Sequence, residues 1–342
     1  MAQLEEKIPK ELFEPAIIDS EKSEEISKPS LNFWQDAWLR VRKNKAAIVS
    51  LVVIFILGIL AFVGPVISNY DFDRQLTAHS NLPPRVKALE NVHWLPFDGV
   101  RVLPNGTEIN PYEQKNIDEY YWFGTDALGR DLFARIWKGT QISLYIAFLA
   151  ALIDMAIGVT YGAISGYFGG RIDNFMQRII EIVMGIPNLI VVILMILILK
   201  PGIISITIAL TLTSWTGMAR VVRAQVLKFK SQEFVLAART LGAGHGKIIF
   251  KHLLPNLAGV IIINTMFTIP NAIFFEAFLS FIGLGLQEPL ASLGTLINDG
   301  FKNMRVFPEQ MIMPAIIISC IMIAFNMVAD GLRDALDPKM RD

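Results

Sequence analysis

Residues 233–255 read Glu-Phe-Val-Leu-Ala-Ala-Arg-Thr-Leu-Gly-Ala-Gly-His-Gly-Lys-Ile-Ile-Phe-Lys-His-Leu-Leu-Pro, a polar and basic interruption in a very hydrophobic chain. Phe234, Ala237, Ala238 and Leu241 fall at i, i+3, i+4 and i+7, which predicts a short helix with all four on one face. Two alanines in the middle of that face leave room for another surface to approach closely. Gly242, Gly244 and Gly246 then break the helix. A second short helix is predicted after them, with Lys247 and Lys251 four apart on one side. Pro255 punctuates the entry to the next apolar run. A helix–glycine–helix finger between two apolar spans is too short to be a domain and has the shape of a docking element.

What surrounds the finger is membrane. The chain has 342 residues, 53% of them hydrophobic, with a mean hydropathy of +0.46. Several apolar runs of 18 or more residues mark a polytopic membrane protein. Six spans are expected, at about 46–68, 141–165, 175–199, 203–222, 257–284 and 308–329. Pro187 interrupts the third and Pro270 lies in the fifth, and each is read as a kink or as a proline tolerated in a membrane helix. The first thirty residues carry eight acids and four lysines, with no apolar core. They read as a disordered cytoplasmic tail over 1–32 rather than a signal peptide. Residues 33–45 predict an amphipathic interfacial helix held by membrane lipid, with Trp34, Ala37, Trp38 and Val41 as its apolar stripe and Arg40, Arg42, Lys43 and Lys45 beside the first span.

Residues 69–140 form the longest polar section, read as a large extracellular loop between the first two spans. Asn105-Gly106 predicts a tight turn within it, and the sequon Asn105-Gly106-Thr107 is read as chance. Residues 285–307 are expected as a polar loop, and 334–342 as a short charged tail. The formal net charge is zero, so only its distribution is informative. Arg220, Arg223, Lys228, Lys230, Arg239, Lys247 and Lys251 crowd the finger region against one acid, Glu233. By the positive-inside rule the finger and both termini are cytoplasmic, and the 69–140 and 285–307 segments face outward. Topology explains the basic residues, so nucleic-acid binding has no support.

Three acids fall in or near apolar runs. A charge at mid-membrane costs about 2.5–3.5 kcal/mol on insertion scales, so such groups face the bundle interior or a water-filled path. Glu276 reads as a pathway-lining residue or as a clamp between helices, and both readings stay open. Asp154 matches no pattern. Glu181 is expected to pair with Arg178. The single cysteine, Cys320, reads as a buried small hydrophobe. Gly242-Ala-Gly-His-Gly-Lys247-Ile248 fails the phosphate-loop pattern, with Leu241 and Ile248 at two required positions, so this chain is not expected to bind ATP. Four histidines are scattered without metal-ligand spacing, and no nucleophile–base arrangement stands out.

Two motifs carry a family resemblance. The finger is similar to the Glu-Ala-Ala loop of the membrane subunits of ATP-binding-cassette (ABC) importers: Ala237, Ala238, Gly242, Leu254 and Pro255 match, while Leu236 stands where that pattern has Glu and His252 where it has a hydrophobic residue. Gly124, Thr125, Asp126, Gly129, Arg130 and Asp131 resemble the Gly-Thr-Asp-x-x-Gly-Arg-Asp signature of peptide-importer permeases of the C type. Physically, that signature reads as loop pinning through charge-assisted hydrogen bonds or as substrate contact.

The resemblance covers about 33–68 and 120–333. It implies an all-α membrane protein with six transmembrane helices and the type I ABC importer permease fold, with a five-helix core at 141–333 that includes a coupling loop at 228–255. The implied function is the permease subunit of an oligopeptide or dipeptide importer in a bacterial cytoplasmic membrane. Implied partners are a homologous second permease, two ABC ATPases that bind the ATP and Mg, and an extracellular peptide-binding lipoprotein. Glu233, Phe234, Leu236, Ala237, Ala238, Leu241, Gly242 and Pro255 are the expected ATPase-coupling residues. The same family serves nickel, glutathione and other small solutes. Two further classes compete: an ion-coupled secondary transporter with Asp154 and Glu276 as relays, which leaves the finger without a task, and an intramembrane enzyme, which lacks a catalytic pattern.

Overall fold

The computed structural model describes residues 33–68, 70–90, 95–103 and 106–336. The expected tail at 1–32, residues 337–342 of the expected tail at 334–342, and Asn105 of the expected turn lie outside the described residues, while 334–336 continue the last helix. The first helix, α1 (Phe33–Lys43), runs up to α2 (Lys45–Ile67) with a break at Asn44, whose Oδ1 caps α2 by accepting the Ala47 N–H at 3.1 Å. The expected stripe on α1 divides. Ala37 and Val41 are buried, with Val41 against Ala47 and Ala335, while Trp34 and Trp38 are exposed.

Between α2 and the next long helix the chain forms a small packed unit, with a two-residue hairpin β1 (Arg101–Val102) and β2 (Glu108–Ile109) and a single-turn helix α3 (Pro111–Gln114). Leu82, Tyr112, Ile117 and Tyr121 make its core, and the Arg85 guanidinium lies 4.9 and 4.6 Å from the rings of Tyr112 and Tyr120. Arg101 ties the unit to the bundle through Glu309 at 2.8 Å.

The bundle follows. It consists of α4 (Leu132–Phe168), α5 (Gly170–Met184), α6 (Asn188–Leu199), α7 (Ile203–Phe229), α8 (Glu233–Thr240), α9 (His245–Phe281), α10 (Leu293–Asn303) and α11 (Glu309–Leu336). The most extensive packing is between α4 and α7. Its cause is legible in Gly158-x-x-x-Gly162-x-x-x-Gly166, which places three side-chain-free positions on one face of α4. A Cβ at these positions would lie 2.6 Å from the Met218 Cβ, 2.3 Å from the Ala219 carbonyl oxygen and 2.9 Å from the Arg223 carbonyl oxygen. Only glycine lets the two backbones approach this closely. A large apolar core joins α4, α7, α9 and α11, and a second joins the C-terminal ends of α4 and α7 and the N-terminal end of α9 to α8.

By length and composition, α2, α4, α9 and α11 can each cross a membrane, and α5 with α6 make a fifth span if the bent pair is counted as one. The expected third span is therefore two helices meeting at 78°, with Pro187 as the residue before α6. The expected fourth span lies in α7, which is not among the helices passing that test. Serines and threonines dilute its N-terminal half, and Arg220, Arg223 and Lys228 its C-terminal half. Pro270 lies inside α9 without ending it.

Two expectations are corrected. The 285–307 segment is not only loop: Ser292 and Thr295 form a capping box that starts the eleven-residue α10. Cys320 is exposed, not buried, on an apolar helix whose outer surface needs no polar character in lipid.

Candidate functional site

The finger is α8, a glycine turn and the first turns of α9. Its apolar face is rotated from the expected one. Val235 is 0% exposed and Ala238 9%, and both pack with Met218, Val222, Ile248 and Leu253. Phe234, Leu236 and Ala237 are exposed, and Leu241 is 87% exposed. The two alanines thus look in different directions. Because α8 is apolar around most of its circumference, spacing alone does not say which side turns inward. Val235, at the centre of the inward face, is absent from the expected set.

Gly242 closes α8 with φ +80. The Ala243 N–H donates to the Ala238 carbonyl and the Gly242 N–H to the Arg239 carbonyl, both at 3.0 Å. This is a Schellman turn, and it needs a residue that tolerates positive φ. Pro255 does not break the chain. It sits two residues past the end of a π-helical turn, Ile248–Leu253, where the Leu254 N–H reaches five residues back to the Ile249 carbonyl. That wider turn accommodates a ring that would clash in a regular helix. Glu233 opens α8 and is exposed.

The root of the finger is cross-braced. Asp173 of α5 accepts two hydrogen bonds from Arg223 of α7, both 2.6 Å, and a third from Ser165 of α4. Lys230 donates to the Gly166 carbonyl at 2.9 Å. Tyr167 joins His245 at 2.9 Å.

The signature residues lie at the opposite end of α4. Asp126 Oδ1 accepts the Leu128 and Arg130 backbone N–H groups, and its Oδ2 accepts Arg130 Nε at 2.6 Å. Asp131 caps α4 by accepting the Phe133 and Ala134 N–H groups, and it also accepts the Ser68 hydroxyl at 2.6 Å, joining the end of α2 to the start of α4. Thr125 accepts the Leu82 N–H and donates to the His79 carbonyl. Gly124 and Gly129 have φ of +78 and +74, and a Cβ on Gly129 would lie 1.8 Å from the Leu76 carbonyl oxygen. Arg130 Nη2 donates to Glu288 at 2.8 Å. That bond holds the Glu288 carboxyl below its ordinary value.

The two other acids sit inside the bundle. Glu276 is fully buried and accepts Ser143 of α4 at 3.0 Å and Ser280 of α9 at 2.8 Å, with Ser292 at the start of α10 next in the chain of hydroxyls. Asp154 accepts Ser214 of α7 at 2.5 Å beside a cavity of about 160 Å³ lined also by Asn188, Thr213, Thr268 and Asn271. Arg178 and Glu181 pair at 2.5 Å on an exposed face. Among the described residues no group of three or more His, Cys, Asp or Glu side chains is placed to hold a metal ion.

The sequence pattern of the binding-protein-dependent transport system inner membrane component matches residues 158–342, over half of the chain. The chain belongs to this family. The N-terminal transmembrane domain of oligopeptide transport permease C matches residues 32–84. The chain is 43% identical over 334 residues to the oligopeptide transport system permease protein OppC of Bacillus subtilis (strain 168), covering 98% of this chain and 99% of that one. It is 44% identical over 338 residues to the dipeptide transport system permease protein DppC of the same organism, covering 98% and 94%. With DppC of Lactococcus lactis subsp. cremoris (strain MG1363) the identity is 46% over 329 residues, covering 94% of each. A chain of the solved inward-facing MetNI methionine ABC transporter has a TM-score of 0.46 at 18% identity, covering 57% of this chain and 94% of that one. As a member of this family the chain is an inner membrane component of a binding-protein-dependent transport system, similar over nearly its whole length to oligopeptide and dipeptide transport system permease proteins.

Proposed function

We propose that this permease forms half of the translocation path of an ATP-driven peptide importer and is coupled to its ATPase through the finger at 233–255. The observation that carries the reading is the split face of α8. Val235 and Ala238 lock the finger onto α4, α7 and α9, while Phe234, Leu236, Ala237 and Leu241 stay uncovered. Uncovered apolar side chains on a rigidly braced knob mark a protein-docking surface. The braces at Asp173–Arg223 and Lys230–Gly166 carry a displacement of the knob into the long helices. The partners under this reading are a homologous second permease, two ATPases that bind ATP and Mg, and an extracellular peptide-binding lipoprotein.

Six spans then cross the membrane, with α7 as the fourth and the α5–α6 pair as the third. The basic residues around α7 and α8 put the finger and both termini in the cytoplasm. The signature loop, the small unit before it and α10 face outward. Glu276 clamps α4, α9 and the start of α10, and Asp154 lines the path. ATP closure of the ATPase pair moves the finger, and the bundle opens outward to accept peptide.

The test is a single cysteine at Leu241, with Cys320 replaced by Ala, in the complex purified from its own membrane. A cross-link to a co-purifying ATPase is expected. No captured neighbour, or labelling of that cysteine from outside intact cells, would falsify the assignment.

A further inference from the structure

The strongest unexplained feature outside the finger is a buried guanidinium with two donors that find no hydrogen-bond acceptor. Arg135, in the first turn of α4, is 1% exposed, and its Nε and Nη1 make no hydrogen bond. Arg130 Nη1 is likewise buried and unpaired. The nearest acid to Arg135, Asp126, is 3.6 Å away and already accepts three hydrogen bonds. An arginine stays charged at any ordinary pH, so a buried one with idle donors is costly unless an anion completes it. Both arginines line a pocket of about 190 Å³ whose other charged walls are Asp126, Glu288, Asp299 and Lys302. Lys302 and Asp299 face each other at 3.4 Å. Glu288, 58% exposed, stands on Arg130.

We propose that this pocket is a carboxylate subsite, in which Arg135 and Arg130 receive the C-terminal carboxylate of a peptide and Glu288 is the resident acid that the ligand displaces. The assignment rests on the peptide reading above. A planar carboxylate offers two acceptors to donors held in a fixed fork. The volume of about 190 Å³ accommodates that group. The displacement keeps the charge balanced, because Glu288 leaves Arg130 for water as the ligand arrives.

The test uses the transporter complex purified from its own membrane into nanodiscs, with trialanine, its C-terminal amide and acetate as probes. Trialanine is expected to bind about tenfold or more tightly than the amide, with acetate competing. Arg135→Met is expected to abolish that preference without lowering the thermal midpoint, because it removes a buried charge whose donors Nε and Nη1 make no hydrogen bond and whose ion pair to Asp126 is long, at 3.6 Å; a merely structural arginine would lower it. Glu288→Gln is expected to tighten trialanine binding severalfold. Equal binding of acid and amide overturns the proposal, as does an unchanged preference in Arg135→Met or weaker binding in Glu288→Gln. Acetate binding through Arg135 with no trialanine preference assigns the pocket to an acidic side chain of a docked protein and overturns the peptide assignment. Uptake of trialanine by whole cells is read separately: its absence removes the transport reading, while Arg135-dependent acetate binding remains as an anion site.

Discussion

The two ends of α4 carry motifs of similar sequence specificity and opposite physical character. At the signature end, nearly every polar group is spent within the chain. Asp126, Asp131 and Thr125 each hold two or more partners, and two glycines adopt positive φ under a neighbouring carbonyl. At the finger end, the anchoring is equally firm at the root, but the tip shows uncovered Phe234, Leu236 and Leu241. A motif that closes on itself holds a fold in place. A motif that leaves apolar surface open is built for a second molecule. On the reading proposed above the finger is of the second kind, and the signature is of the first except at the unpartnered Arg130 Nη1.

The contrast can be broken most severely at Gly129. Gly129→Ala forces a Cβ into the Leu76 carbonyl at a left-handed backbone, and a cost of about 2–4 kcal/mol is expected, read as a fall in the thermal midpoint of the purified complex. The finger offers the sharper comparison. Ala238→Glu buries an unpaired charge against Val222 and Leu253 and is expected to cost about 3 kcal/mol. Its neighbour Ala237→Glu faces outward, and a stability change within about 0.5 kcal/mol is expected, together with loss of ATP-driven peptide uptake. Equal thermal midpoints for the two variants would show that the alanines do not look in different directions. Leu241→Ser is expected to weaken ATPase association by about 1–2 kcal/mol, measured by dissociation of the detergent-solubilised complex, with no change in melting.

The smallest effect is at the signature. The Arg130 hydrogen bond depresses the Glu288 carboxyl, so the link contributes in full above that group's ordinary value of 4.5 and is lost as pH falls through its lower folded value. Amide exchange at residues 124–131 is expected to quicken only below that range, and Glu288→Gln to abolish the pH dependence.

Much of the architecture was legible because lipid enforces long apolar runs and basic clustering. The finger, too, was visible from its three glycines. The face of α8 was not, because apolar residues ring that helix and its orientation is settled by Val235 meeting Ile248 and Leu253, about thirteen or more residues away in the chain. The 78° elbow at Pro187 was visible only as a proline, since a membrane helix can absorb one without breaking. The α10 helix hid in a stretch rich in Gly and Pro, although Ser292-x-x-Thr295 was a start signal. Arg135 was not legible because an arginine beside an aspartate looks fully satisfied; its burial and the prior claims on Asp126 leave it a 3.6 Å ion pair and two donors without hydrogen bonds.

The glycine seam between α4 and α7 sets where movement can occur. Two rods that meet backbone to backbone have no side-chain layer to shear through, so they tilt as one girder. Rearrangement during the cycle then falls to looser contacts, above all to α6, where Val192 is the one buried side chain. Spin labels straddling the seam would keep a constant separation through ATP turnover, while a pair spanning the Pro187 elbow would not.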